Sequence, residues 1–243
     1  MAVKVPYVVR VPYYLLLGAV TGATLHEAEL PLREYRSVGE LFTRRLQPYA
    51  RRIETNDATA LVSPCDATVC AVGTAAGGTA RLPQIKRASF SLRSLLGMNP
   101  PEKQFRYVVL YLAPGDYHRF HAPTNMTQVS VRRIKGEALS VNPHLLKFLD
   151  NVLSVNERVV IEATWGDDDT KRLWFVAVGA QGVCKIVLEK DEEQSNVCYK
   201  HGDPLGYFAM GSTVVLVVED DGRTPEWKLK PGQKIQMGER ITL

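Results

Sequence analysis

The sequence predicts a mainly β protein, an α+β chain with a barrel or sandwich-like body, helices gathered at its N-terminus and one or two short helices inserted later. Three observations predict it. From Leu61 onward the chain breaks into short apolar or alternating runs separated by glycine, proline and polar turns, which is the texture of strands. Before that point, the most apolar stretch and a capping-box motif both read as helix. Two later segments have the marks of short helices, one of them with apolar residues at helical spacing.

In chain order, residues 8–25 are the most apolar region, interrupted by Arg10, Pro12, Gly18 and Gly22. The stretch falls short of the about 20 unbroken apolar residues that cross a bilayer. It suits a helix lying on a membrane and a helix packed on the protein body equally well. Ser37-Val38-Gly39-Glu40 has capping-box spacing and opens a short helix expected to run to Leu46, where Pro48 stops it. Arg44, Arg45, Arg51 and Arg52 cluster around its end, as contacts for lipid phosphates or as a solvated basic face.

Strands are expected at residues 61–63, 68–72, 107–112, 128–134, 159–164, 173–178, 183–188 and 213–218, with a hairpin connection at 179–182. Helical pieces are expected at 91–97, closed by Gly97, and at 143–152, opened by Pro143. A charged turn falls at 167–169 and a polar loop at 189–196.

The 243 residues, 45% hydrophobic and 23% charged, can bury the core of one large domain or two small ones. A net charge of +4 is too modest to imply nucleic acid, yet it favours an anionic lipid surface. Cys65, Cys70, Cys184 and Cys198 form no regular framework, so reduced thiols are expected. The first residues show no secretory signal, and a presequence already removed is compatible with that.

Three segments carry chemistry. Ser63-Pro64-Cys65-Asp66 sets a carboxylate after a proline turn. The loop from Tyr111 to Pro123 packs Asp116, Tyr117, His118, Arg119, Phe120 and His121 between prolines. Ala209-Met210-Gly211-Ser212-Thr213 places a small hydroxyl residue after a glycine at the head of an apolar run. A metal site on His118 and His121 lacks a third ligand, and a conventional serine hydrolase lacks Gly-x-Ser-x-Gly. The third option is a serine that attacks its own backbone, assisted by strain at Gly211.

Those segments, together with Gly136 to Pro143, Asn156-Glu157-Arg158-Val159-Val160, Leu205 to Thr213 and Lys230-Pro231-Gly232-Gln233-Lys234-Ile235, occur in the order seen in phosphatidylserine decarboxylases. The chain resembles that family, in its mitochondrial or bacterial membrane-associated type, from about Arg36 to its end. The resemblance implies a proenzyme cut between Gly211 and Ser212 by a triad of Asp66, His121 and Ser212. It implies conversion of Ser212 to a covalent pyruvoyl cofactor, which forms a Schiff base with phosphatidylserine and releases carbon dioxide to give phosphatidylethanolamine. His118 is the residue it assigns to decarboxylation or proton transfer.

Residues 1–55 are then a helical membrane-association region and 56–243 the catalytic domain. The implied partners are phosphatidylserine, a membrane surface and the two fragments held together. A homodimer is compatible with the resemblance, and neither nucleic acid nor a metal is expected. The implied location is the mitochondrial inner membrane, with the bacterial inner membrane as the alternative. Phe120, Tyr117 and the surroundings of Met210 suit pocket walls and ordinary core alike. The sequence departs from the family pattern at Ala67, at Arg87 after Lys86, and at Met210.

Overall fold

A computed structural model describes residues 4–243 except 56, 58, 78–79, 86–87, 147, 167–169, 181–184, 191–193 and 210. The expected turn at 167–169, half of the hairpin connection at 179–182, part of the loop at 189–196, Lys86, Arg87, Cys184 and Met210 lie outside the described residues.

The helices are α1 (Arg10–Thr21), α2 (Val38–Phe42), α3 (Leu92–Leu96), α4 (Pro143–Leu146) and α5 (Val152–Val155). The strands are β1 (Ala67–Ala76), β2 (Arg81–Ile85), β3 (Ala88–Ser91), β4 (Gln104–Leu112), β5 (Arg119–His121), β6 (Met126–Ile134) and β7 (Arg158–Trp165). They continue as β8 (Lys171–Gly179), β9 (Ile186–Leu188), β10 (Val197–Tyr199), β11 (Pro204–Phe208), β12 (Ser212–Asp220) and β13 (Lys234–Ile235). The expected mainly β, α+β class is what the chain adopts.

Eight strands form one antiparallel sheet in the order β10-β6-β7-β8-β12-β4-β1-β13. A small sheet, β5-β11-β9, and a hairpin, β2-β3, complete the β structure. Period-two alternation decides what each face buries. On β12, Val214, Leu216 and Val218 join the cluster that holds Phe120 of β5 and Phe208 of β11, whereas Val215 and Val217 join the cluster of Phe90, Leu92 and Trp174. Both faces of β12 are therefore covered, and each of its five fully buried aliphatic side chains contributes about 1.5–3 kcal/mol.

The N-terminal segment packs around its own cluster of Tyr14, Ala28, Tyr35 and Leu41, with the Tyr14 hydroxyl donating to the Tyr35 carbonyl at 2.9 Å. Helix α1 has 12 residues, about 18 Å at 1.5 Å per residue. No helix among the described residues is long and apolar enough to cross a membrane. Its outer side stays apolar and exposed at Leu15, Leu16 and Val20.

Several expectations need correction. The helix opened by Ser37 is capped as predicted, Ser37 Oγ accepting from the Glu40 amide at 3.2 Å, but it ends at Phe42 and not at Leu46. The chain from 45 to 47 is drawn into pairing with residues 27–29, where Glu29 N donates to Arg45 O and Gln47 N to Glu27 O. The single helix expected at 143–152 is two helices, α4 and α5, with Asn151 between them at φ 61° and its amide bound to Ser89 O. Residues 61–63 make only a bridge, Val62 to Arg240. Strands β2, β3, β5, β10, β11 and β13 were not expected.

Candidate active site

Ser212 opens β12, pairing with Leu112 of β4 and Gly179 of β8. Its parity with Val214 turns it to the face that the β5-β11-β9 sheet covers. The side chain is fully buried and its Oγ has no hydrogen-bond partner among the described residues. A buried hydroxyl left unpaired costs about 1–3 kcal/mol, so the position is unfavourable for stability alone. Gly211 borders a cavity of about 310 Å³ together with Phe42, Leu112, Ser140, Asn142 and Ala180. The strain expected at Gly211 is not of the left-handed kind, because its φ lies outside that region.

His118 lies in the loop between β4 and β5. Its Nδ1 is 2.8 Å from the carbonyl oxygen of Asp116, and a carbonyl only accepts, so Nδ1 carries the proton. Nε2 is then a bare lone pair, buried and without a partner among the described residues. Burial pushes the pKa down to about 3, which keeps the ring neutral. The ring of Phe42, the last residue of α2, lies on His118 with centroids 3.9 Å apart. Phe42 also borders the cavity at Gly211, so it touches both His118 and the space beside the Gly211–Ser212 bond. Behind the loop, Gly115 abuts Thr21 O and Ala23 N at the end of α1, where a Cβ has no room.

His121 ends β5 and is 8% exposed. Nδ1 donates to the carbonyl of Gly202 at 2.8 Å, and the Tyr117 hydroxyl donates to Nε2 at 3.2 Å. Burial lowers the His121 pKa, with the nearby Asp66 charge acting against it. Burial also pushes Tyr117 up to about 12, so the phenol keeps the proton it donates.

Asp66 is engaged elsewhere. Its carboxylate receives a two-pronged contact from Arg51 and the amide of Met237 at 2.8 Å. Arg51 also pairs with Glu27 at 2.9 Å, and its side chain is only 5% exposed. Asp66 and His121 thus stand near each other with no hydrogen bond between them, and none joins either to Ser212 among the described residues. Arg51, grouped by sequence with a lipid-facing or solvated cluster, is an internal ion-pair residue. Of the suggested walls, Phe120 packs on Phe175 and Phe208 in the core, while Tyr117 touches His121.

The phosphatidylserine decarboxylase family model matches residues 38–243, which hold Asp66, His118, His121, Gly211 and Ser212. The chain belongs to the phosphatidylserine decarboxylase family. It is 33% identical to phosphatidylserine decarboxylase proenzyme 1, mitochondrial, of Toxoplasma gondii, over 99% of this chain and 62% of that protein. The mitochondrial phosphatidylserine decarboxylase proenzyme of Rattus norvegicus is 31% identical over 98% of this chain and 68% of its own length. The phosphatidylserine decarboxylase proenzyme of Bacillus subtilis is 34% identical over 86% and 76%. The matched region opens at α2, so this member of the phosphatidylserine decarboxylase family carries α1 ahead of it. Sequence reasoning missed Gly202 and Phe42 as partners of the two histidines. The first acts through its backbone and the second lies more than 70 residues away in the chain, so neither leaves a local signal.

Proposed function

We propose that the chain is a self-processing, pyruvoyl-dependent phosphatidylserine decarboxylase whose Ser212 is consumed to make the cofactor. The observation that carries the reading is the buried, unpartnered Ser212 Oγ at the head of a central strand, directly after a glycine that borders a cavity. The hydroxyl attacks the Gly211 carbonyl, and ester replaces amide as the Ser212 nitrogen takes the proton. His121 is the base, in the tautomer that Gly202 fixes, once its Nε2 leaves the Tyr117 hydroxyl. Asp66 contributes the negative charge that raises the basicity of His121. Loss of the Cα proton expels residue 211 as a carboxylate, and hydrolysis with loss of ammonia leaves a ketone at position 212.

The residues fit that group, since it is built in place from a side chain with no competing bond. The pyruvoyl carbonyl supplies an electron sink for an amine-bearing carboxylate. The bare Nε2 of neutral His118 supports a role in first taking up a proton and then passing it to the carbon that loses the carboxylate. The two fragments stay together because β12 pairs with β4 and β8, and β13 with β1, all across the cut.

Residues 1–55 form the membrane-association region in this reading and 56–243 the catalytic domain. The exposed apolar side of α1 supports a membrane surface as partner. The relatives named mitochondrial support a mitochondrial membrane as its location. The testing experiment is intact-mass analysis of the purified chain. It should show fragments 1–211 and 212–243, the second beginning with a pyruvoyl group, and vesicle phosphatidylserine should be turned over. A single uncut chain, or turnover of free serine in preference to lipid, overturns the reading.

A further inference from the structure

The N-terminal region leaves one cation buried and unpaired at the join of two cavities of opposite character. Arg44 follows α2 and is 5% exposed. Its Nη1 donates to the carbonyl of Leu41 at 3.3 Å, and its Nε has no partner. The carboxylates of Glu27 and Asp66 are both taken by Arg51, and Arg44 forms no ion pair among the described residues. Burial lowers its pKa, as removal of a charge from water requires. The charges of Asp66 and Glu27 act against that shift from a distance, and with no carboxylate bonded to it the buried guanidinium is open to an anionic ligand.

Two cavities of about 200 Å³ meet at this side chain. One is apolar and lies between α1 and α2, walled by Leu17, Thr21, Leu25 and Leu41. The other is polar, with Glu27, Asp66 and Asp116 set against Arg51 and Lys234 beside Arg44. Phe42, two residues before Arg44, walls the apolar cavity, covers His118 and borders the cavity at Gly211. The apolar cavity thus has Arg44 on one wall and, through Phe42, the cavity at Gly211 on another, which brings together room for an acyl chain, a cation and the reacting end of an acyl glycerophosphate ester.

We propose that Arg44 binds the phosphodiester of the phospholipid substrate, with an acyl chain in the apolar cavity between α1 and α2. The proposal rests on the decarboxylase reading and deepens it. The phosphodiester and the serine carboxylate are both anions, and chemistry separates them. The carboxylate has to lose its charge as carbon dioxide, and a fixed cation on it stabilises the ground state more than the transition state. The phosphodiester keeps its charge throughout, so a guanidinium lowers KM without slowing the reaction.

The test uses the full chain with dihexanoyl phosphatidylserine, its phosphatidylethanolamine product and glycerophosphoserine, which has no acyl chain. Arg44→Gln should raise KM for both serine substrates roughly tenfold or more, the loss of one charge-assisted hydrogen bond, with kcat nearly unchanged. It should weaken calorimetric binding of the product by a similar factor, and Arg44→Lys should restore part of each loss. Thr21→Leu, which narrows the apolar cavity away from Arg44, should raise KM for the dihexanoyl lipid and leave glycerophosphoserine unaffected.

An unchanged KM in Arg44→Gln overturns the proposal. So does weaker binding of the substrate alone, since the product lacks only the carboxylate. Should Arg44→Gln fail to fold, an unaltered KM for the lipid in Thr21→Leu overturns it independently. A wild-type chain that neither cuts itself nor turns over lipid overturns the decarboxylase reading itself, whereas active wild type with indifferent variants removes Arg44 alone.

Discussion

His121 gives its Nδ1 proton to the carbonyl oxygen of Gly202 at 2.8 Å, while Asp66 is held by Arg51 and the amide of Met237. The tautomer of the histidine is therefore set by a backbone group, and the aspartate acts on it through charge. His121→Ala should slow the appearance of fragments at least about 100-fold, the range for loss of a general base. Asp66→Asn keeps an acceptor for Met237 but removes the charge, so processing should slow less. Arg51→Met, which frees Asp66 from its ion pair, should leave His121 more basic. A time course of fragment formation on denaturing gels checks all three, and unimpaired cutting in His121→Ala removes it as the base.

The bare Nε2 of His118 faces a different step. Because Phe42 packs on this ring and no hydrogen bond joins His118 to Ser212 among the described residues, His118→Ala should permit cutting and abolish turnover. Phe42→Ala should cut normally and lose turnover partly, since the ring that keeps His118 dry is gone. Fragment masses and carbon dioxide release separate the two effects. Unimpaired decarboxylation by His118→Ala removes its role.

Local signals in the sequence were reliable where the chain determines its own structure. Ser37 caps α2 and Gly97 closes α3 as their residue types require. The long strands showed through alternation, because both faces of β12 and its neighbours are buried. What stayed hidden depends on distant partners. β5 and β11 lie in histidine-, proline- and glycine-rich segments, and Gly206 belongs there because Phe120 and Val187 press against it. Arg44 and Arg51 look alike in an arginine-rich run, yet among the described residues one is buried without an ion pair and the other is the partner of Glu27 and Asp66. The motif residues were legible, whereas the partner that orients His121 was not.

Both histidines also make stability depend on pH. Their folded pKa values lie below the ordinary 6.5, so the unfolded chain binds more protons below that pH. Their contribution is complete above about pH 6.5 and is lost as pH falls below it, for His118 down toward about 3 at up to about 1.4 kcal/mol per pH unit. Asp116 works in the opposite sense, since burial raises its pKa and acid relieves the cost of its charge. Urea unfolding midpoints should fall steadily from pH 7 to pH 4.5, with a shallower fall in His118→Leu. An unchanged slope in that variant means that His118 is not buried neutral.

Two glycines near the site should respond in opposite ways to a methyl group. At Gly211 the backbone lies outside the left-handed region, and among the described residues beyond its chain neighbours a Cβ meets only the Ala180 Cβ at 3.7 Å. Gly211→Ala should therefore fold with stability within about 1 kcal/mol of wild type and still cut, more slowly because the carbonyl under attack is more crowded. At Gly115 the same methyl runs into Thr21 O and Ala23 N, both backbone atoms that cannot swing aside. Gly115→Ala should displace α1 from the loop that carries His118, with a loss of about 1–3 kcal/mol and reduced turnover. Thermal unfolding and fragment analysis of the two variants provide the comparison. If Gly211→Ala folds but never cuts while Ser212 stays intact, the peptide bond needs a conformation that only glycine provides, and attack does not proceed from the geometry found here.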